Sequence, residues 1–168
     1  MRFNTLDELI KKAQELNACE AVINEALEFE NLEDCLKNLH TGHKAWALCA
    51  GFEQFEKYMD WDKLVGGNWS YLLRHRPKFS KYCDWDKLDG WDWYCLLSNQ
   101  PQLYKYCYWN RLNGNNWFYL LSSQPQFSKY CDFKKLDVYD WDSLLRIQPQ
   151  FESKYKQIKR KNNENIYI

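Results

Sequence analysis

The side chains able to do chemistry are few, and each group has a definite demand to meet. Cys35, His40, His43 and Cys49 gather thiol and imidazole donors in one short span, C-x4-H-x2-H-x5-C. Structural zinc takes four such donors as a tetrahedral set built from closely spaced pairs, and this spacing matches no common finger. Cys35 and Cys49 fall on apolar faces of expected helices, so buried free thiols are the simpler account. Cys83, Cys107 and Cys131 resemble a ladder of ligands, but Met59 occupies the same column and cannot supply a thiolate. A Cys–His nucleophile needs an orienting third group and oxyanion donors. The chain has three histidines, His40, His43 and His75, and no such set around them. Asp60, Asp62, Asp84 and Asp86 are the candidate carboxylate pairs. Glycosidase-type chemistry requires two carboxylates at a defined separation across a cleft. These instead recur at helix starts and give way to Tyr108, Asn110 and Lys134 in later positions, which fits capping. With no Gly-rich phosphate loop and no H-E-x-x-H, the expectation is a protein that turns nothing over and needs no metal or cofactor.

The elements that carry these residues follow from an internal repeat of 24 residues. Trp61, Trp85, Trp109 and Phe133 form one column; Leu64, Leu88, Leu112 and Leu136 form the next. Trp69, Trp93, Trp117 and Trp141 follow, then the Leu pairs that begin at Leu72, Leu96, Leu120 and Leu144. Pro77, Pro101, Pro125 and Pro149 come eight residues after those Trp, and Tyr82, Tyr106 and Tyr130 close the unit. A degenerate first copy shows in Leu48, Cys49, Phe55, Tyr58 and Met59, with Ala45 where Trp should stand and Trp46 displaced. Terminal copies are expected to be atypical because they cap a stack.

Trp, Leu, Leu at i, i+3, i+4 make one apolar helical face, and Asn68, Asp92, Asn116 and Asp140 just before each Trp are read as N-caps. The helix must stop before Pro, and Pro then opens a second short helix. A third turn starts at Asp60, Asp84 or Asp132 and ends at Gly66, Gly90 or Gly114, where a left-handed turn is expected. Helices of fewer than about 12 residues are marginal alone, so copies must stack, indole on phenol, with each polar tip finding a partner. The reading is all-α: a small α-solenoid of about five copies starting near residues 45, 69, 93, 117 and 141. The Leu pairs and 3.6-residue period argue against a β-solenoid. Residues 1–44 read as a helical N-terminal cap in one domain with the array 45–155, with Thr5, Asn17 and Asn31 as N-caps; 156–168 read as a basic, frayed tail.

Composition narrows the classes. Lys plus Arg and Asp plus Glu both number 23, so a uniformly basic nucleic-acid binder is not indicated. Residues 1–59 hold eleven acidic and six basic side chains, leaving the first third acidic and the remainder basic. No run suits a membrane span or a secretory h-region, and seven scattered Cys read as reduced thiols in a cytoplasmic protein.

The W-x2-LL-x2-QP-x-F-x3-C-x-W-x2-L units, clearest at Trp93–Leu112 and Trp117–Leu136, resemble tandem repeats found in proteins of bacteria and their phages. Leu16–Glu20 and Lys44–Cys49 are similar, more weakly, to a leader segment of such proteins. The resemblance spans roughly two-thirds of the chain and implies a small, cytosolic, phage-type context, with no activity or cofactor attached.

What remains is surface. Lys57, Lys81, Lys105 and Lys129 recur at the repeat period, as do Lys63, Lys87, Arg111 and Lys135, so stacking would align two basic stripes able to track phosphates. Neighbouring Asp residues and zero net charge favour a solvated surface instead. Tyr71, Arg74, Trp91, Tyr94, Phe118, Tyr119 and Arg146 vary between copies and are of the types that anchor interfaces. The leading expectation is a non-catalytic protein-binding module, within that class a phage-type inhibitor of a bacterial defence system (anti-CRISPR-like), whose partner is a larger bacterial protein such as a guide-RNA nuclease complex. The alternative is a nucleic-acid binder using Lys81, Lys105, Lys129 and the basic tail.

Overall fold

The computed structural model describes residues 1–164, and every regular element in them is an α-helix or a short 3₁₀ helix. The all-α repeat architecture holds. The chain falls into two compact units, Met1–Lys87 and Leu88–Ile168.

In the first unit, α1 (Leu6–Glu15), α2 (Glu20–Leu27) and α3 (Leu32–Asn38) precede α4 (Thr41–Cys49) and α5 (Gly66–His75). The expected start of the array at residue 45 lies inside α4, which packs on α5. Thr5 caps α1 by accepting the Glu8 N–H at 3.2 Å, and Asn31 caps α3 by accepting the Asp34 N–H at 2.9 Å. Asn17 does not cap α2. It ends α1 in the left-handed region at φ 54°, which Asn tolerates, and Cys19 precedes α2 with no side-chain cap. Lys44 sits in the first turn of α4, at the place Trp69 takes in α5, counted from the helix start. Its stem is buried, and its ammonium donates to the carbonyls of Lys37 and Tyr58.

The second unit stacks α6 (Gly90–Asn99) on α7 (Gly114–Ser123) and α7 on α8 (Val138–Ile147). The segment read as a frayed tail is instead helical to Glu164, as α9 (Glu152–Glu164); residues 165–168 lie outside the described residues. Tyr155 on α9 lies 5.2 Å from Trp141, so the helix covers the last Trp of the column.

From α5 to α8 each copy's helix begins three residues earlier than the sequence reading placed it. Asp89, Asn113 and Asp137 are the N-caps, and Asp92, Asn116 and Asp140 are the N3 partners that return the bond, closing reciprocal capping boxes. Asn113 Oδ1 accepts the Asn116 N–H at 2.9 Å while Asn116 Oδ1 accepts the Asn113 N–H at 3.1 Å. The glycines thus open helices instead of ending turns, and neither Gly90 nor Gly114 has a positive φ. Their lack of a side chain serves packing. A Cβ on Gly90 would overlap the Arg111 carbonyl oxygen, and one on Gly114 the Lys135 carbonyl oxygen, both from the turn that follows one copy later.

After each Pro the chain forms 3₁₀ helices, Pro77–Tyr82, Pro101–Tyr106 and Pro125–Tyr130. The residue before Pro does more than end the helix. Gln124 and Gln148 donate to the carbonyls of Ser98 and Ser122 at 3.0 and 2.8 Å, one copy back, and Arg76 does the same for Cys49 at 3.2 Å. These ties satisfy carbonyls at helix C-termini that have no intrahelical partner. Between these layers Trp69, Leu72, Leu73, Trp93, Leu96, Leu97, Trp117, Leu120 and Leu121 are almost wholly buried, each Leu contributing about 1.5–3 kcal/mol of transfer free energy. The indole tips do not all find partners: the Nε1–H groups of Trp69 and Trp117 have no acceptor.

Candidate binding surfaces

The Cys–His span is assembled for structure. His40 caps α4, its Nδ1 accepting the Gly42 N–H at 3.2 Å. Glu25 accepts the His40 backbone N–H at 2.6 Å and pairs with His43 Nδ1. Cys35 is fully buried, and among the described residues no group of three His, Cys, Asp or Glu is placed to hold a metal ion. No described helix is long and apolar enough to cross a membrane.

The thiols are chemically muted. Burial pushes Cys35 and Cys49 up to about 11 and Cys83 and Cys131 up to about 12, and raises Cys107 as well. The thiolate is the nucleophile, so alkylation of the native protein at about pH 8 should label the exposed Cys19 and spare these five, with all seven labelled after unfolding. The sign for stability follows. Unfolded thiols lose their protons near pH 9 while the folded ones keep them, so the contribution is intact below that pH and declines above it. A lower urea midpoint at about pH 10 than at pH 8 checks this.

The two basic columns separate. Lys63 pairs with Asp60 at 2.7 Å, and Lys87 donates to the Asp62 carbonyl. Arg111 donates to the Leu88 carbonyl at 2.8 Å, and Lys135 to those of Asn110 and Leu112 at 2.9 and 2.7 Å. Apart from Lys63, which pairs within its own turn, this column is a set of ties between copies. Lys57, Lys81, Lys105 and Lys129 instead lie over the rings of Tyr58, Tyr82, Tyr106 and Tyr130 at 4.6–5.1 Å. Among the described residues none of these four is paired with a carboxylate, so the expected neutralisation by Asp applies to the first column alone.

Of the candidate aromatic anchors, four come together on α6 and α7. Trp91 lies 5.0 Å from Tyr94 and 6.0 Å from Tyr119; Tyr94 is 5.4 Å from Tyr119, which is 4.9 Å from Phe118. Trp91 is 51% exposed and Tyr119 40%, with Tyr94 and Phe118 half-buried beneath. α7 contains no charged residue, and the one in α6, Asp92, is buried in its capping box. Tyr71 and Arg74 are on α5 in the other unit, Tyr71 against His75 at 4.8 Å. Arg146 is on α8, paired with Asp142 at 2.7 Å.

A groove that sequence reasoning missed runs between the turns Pro101–Tyr106 and Pro125–Tyr130. It has a volume of about 280 Å³ and is lined by Gln102, Tyr104, Gln126, Phe127, Lys129 and Tyr130, with Pro101 at its edge. The signal was available: Tyr104 breaks a column that holds Ser80 and Ser128 in the flanking copies.

Compared with known proteins, the chain matches no family model, no curated protein and no solved structure.

Proposed function

We propose that this chain is a non-catalytic repeat module that binds a partner protein through the α6–α7 face. The observation that carries the reading is the contiguous cluster Trp91, Tyr94, Phe118 and Tyr119, half-exposed and free of charge. Scattered surface aromatics need no explanation, but a clustered aromatic patch on a rigid scaffold is the composition of interface hot spots. Tyr and Trp supply large contact area for little conformational entropy, and Ser98, Asn115 and Ser122 on the same two helices supply polar contacts. The resemblance to repeats of bacterial and phage proteins supports a bacterial partner. A phage-type inhibitor of a guide-RNA nuclease complex is the sharpest form of the proposal, and its effect would saturate at a fixed ratio of protein to target.

The test is capture of a stoichiometric partner from a bacterial lysate by wild type and by Trp91→Ala with Tyr119→Ala. Each truncation should cost about 2 kcal/mol, roughly thirtyfold in affinity, so the double variant should lose the partner. Retention of the partner by the double variant, or inactivation of a target at sub-stoichiometric amounts, would refute the reading.

A further inference from the structure

We infer that the groove between the turns Pro101–Tyr106 and Pro125–Tyr130 is a site for single-stranded nucleic acid, taking one base against Tyr104 and a phosphate on Lys129. The site is on the 3₁₀ turns, not on the α6–α7 aromatic cluster, and does not depend on the protein-binding proposal. Three features meet there that such a ligand requires.

The first is a stacking surface. Tyr104 and Tyr130 have ring centroids 6.0 Å apart and planes inclined by 31°. Tyr130 is backed by Trp109 at 4.4 Å with planes 8° apart, which fixes its orientation before any ligand arrives. Tyr104 is 41% exposed, so its ring is available. Its ring also lies 6.2 Å from that of Phe127, yet the flanking copies put Ser in that column and build the same turn without it.

The second is a pair of amide edges. Gln102 Nε2 donates to Gln100 Oε1 and Gln126 Nε2 to Gln124 Oε1, both at 2.6 Å. Each amide is held through one N–H, and the rest of its edge is left for the polar rim of a base.

The third is charge. The turns PQLYKY and PQFSKY contain no Asp or Glu and one Lys each, and Lys105 and Lys129 lie 4.9 Å over Tyr106 and Tyr130 without a carboxylate partner among the described residues. A cation beside a stacking ring is the pairing by which proteins hold unpaired strands without reading sequence. A duplex buries its base faces and cannot use Tyr104. A groove of about 280 Å³ is at the small end for ligand sites, and it suits one nucleotide of a strand and not a protein domain. A proline-rich peptide would use the rings but has no need of unpaired lysines at every turn.

The experiment is fluorescence anisotropy with labelled DNA and RNA strands of roughly fifteen nucleotides, a duplex and a polyphosphate, across salt from about 50 to 200 mM. Saturable binding to one or both strands is expected, weaker on duplex and polyphosphate, with a log–log salt slope near −0.7 for each phosphate held. Tyr104→Ser, a residue the flanking copies already carry, should weaken binding roughly tenfold with unchanged thermal unfolding. Lys105→Gln with Lys129→Gln should flatten the salt slope. No saturable binding at the lowest salt, equal affinity for duplex or polyphosphate, or wild-type affinity in Tyr104→Ser would each overturn the assignment. So would binding of a proline-rich peptide in the absence of strand binding.

Discussion

Gly114→Ala is expected to destabilise the unit Leu88–Ile168 by about 3 kcal/mol, although alanine is the better helix former by about 1 kcal/mol. The residue opens α7 with an ordinary helical backbone, so no conformational freedom is at stake. A Cβ there would overlap the Lys135 carbonyl oxygen and stand 2.7 Å from Asp140 Oδ2. Neither obstacle is a loose side-chain end. Lys135 is held by its bonds to Asn110 and Leu112, and Asp140 is fixed in the capping box of α8. The added methyl must therefore separate α7 from the copy after it, and overpacking of this kind costs typically 1–3 kcal/mol or more. Val138 provides the control inside the same molecule. It holds the same position in α8, after which no further copy follows, and it is 64% exposed. Val138→Ala should change stability by less than about 0.5 kcal/mol. Urea unfolding of the three proteins separates the outcomes, and equal midpoints for Gly114→Ala and wild type would remove the close-approach explanation.

That glycine marks where sequence reading stops. The Trp69, Trp93, Trp117, Trp141 column and its Leu pairs announce the core because successive copies repeat the same burial, relaxed only at Leu145 in the last, and the 3.6-residue spacing then fixes the element type. Between Leu88 and Trp93, however, the chain reads equally well as a turn ended by Gly90 or a helix begun by it. The carbonyl that decides the matter belongs to Arg111, a full copy away. The capping boxes were within reach: Asp89 and Asp92, Asn113 and Asn116, Asp137 and Asp140 all stand three apart, the N-cap to N3 interval. The basic columns were not. Lys105 and Lys135 recur with one period and one chemistry, and only the register of neighbouring turns sends one to a Tyr ring and the other to backbone carbonyls. The aromatic anchors Trp91, Tyr94, Phe118 and Tyr119 were legible as positions that vary among copies, whereas of the groove at Tyr104 only Lys129 stood out, as part of a basic column.

Trp117→Ala is expected to cost about 3–5 kcal/mol, the range for deleting a buried large aromatic. The indole is 1% exposed and stacks on Trp109 at 5.5 Å with planes 13° apart, and Trp109 stacks in turn on Tyr130. Truncation therefore empties a column and not a single site. Trp117→Phe should behave differently. It keeps an aromatic face for Trp109 and removes an Nε1–H that has no acceptor. Leaving a buried donor unsatisfied costs about 1–3 kcal/mol, so relief of that burden offsets much of the lost contact area. The net loss for Phe should stay below about 1.5 kcal/mol. Trp46→Ala should cost less than half as much as Trp117→Ala, because Trp46 is half-buried and lies T-shaped to Phe52 at 5.9 Å, outside the stacked column. Urea unfolding followed by far-ultraviolet circular dichroism gives the ranking directly. A Phe variant as damaged as the Ala variant would mean that the indole N–H is doing structural work, and the Trp column would then be held by polar bonding as well as by stacking.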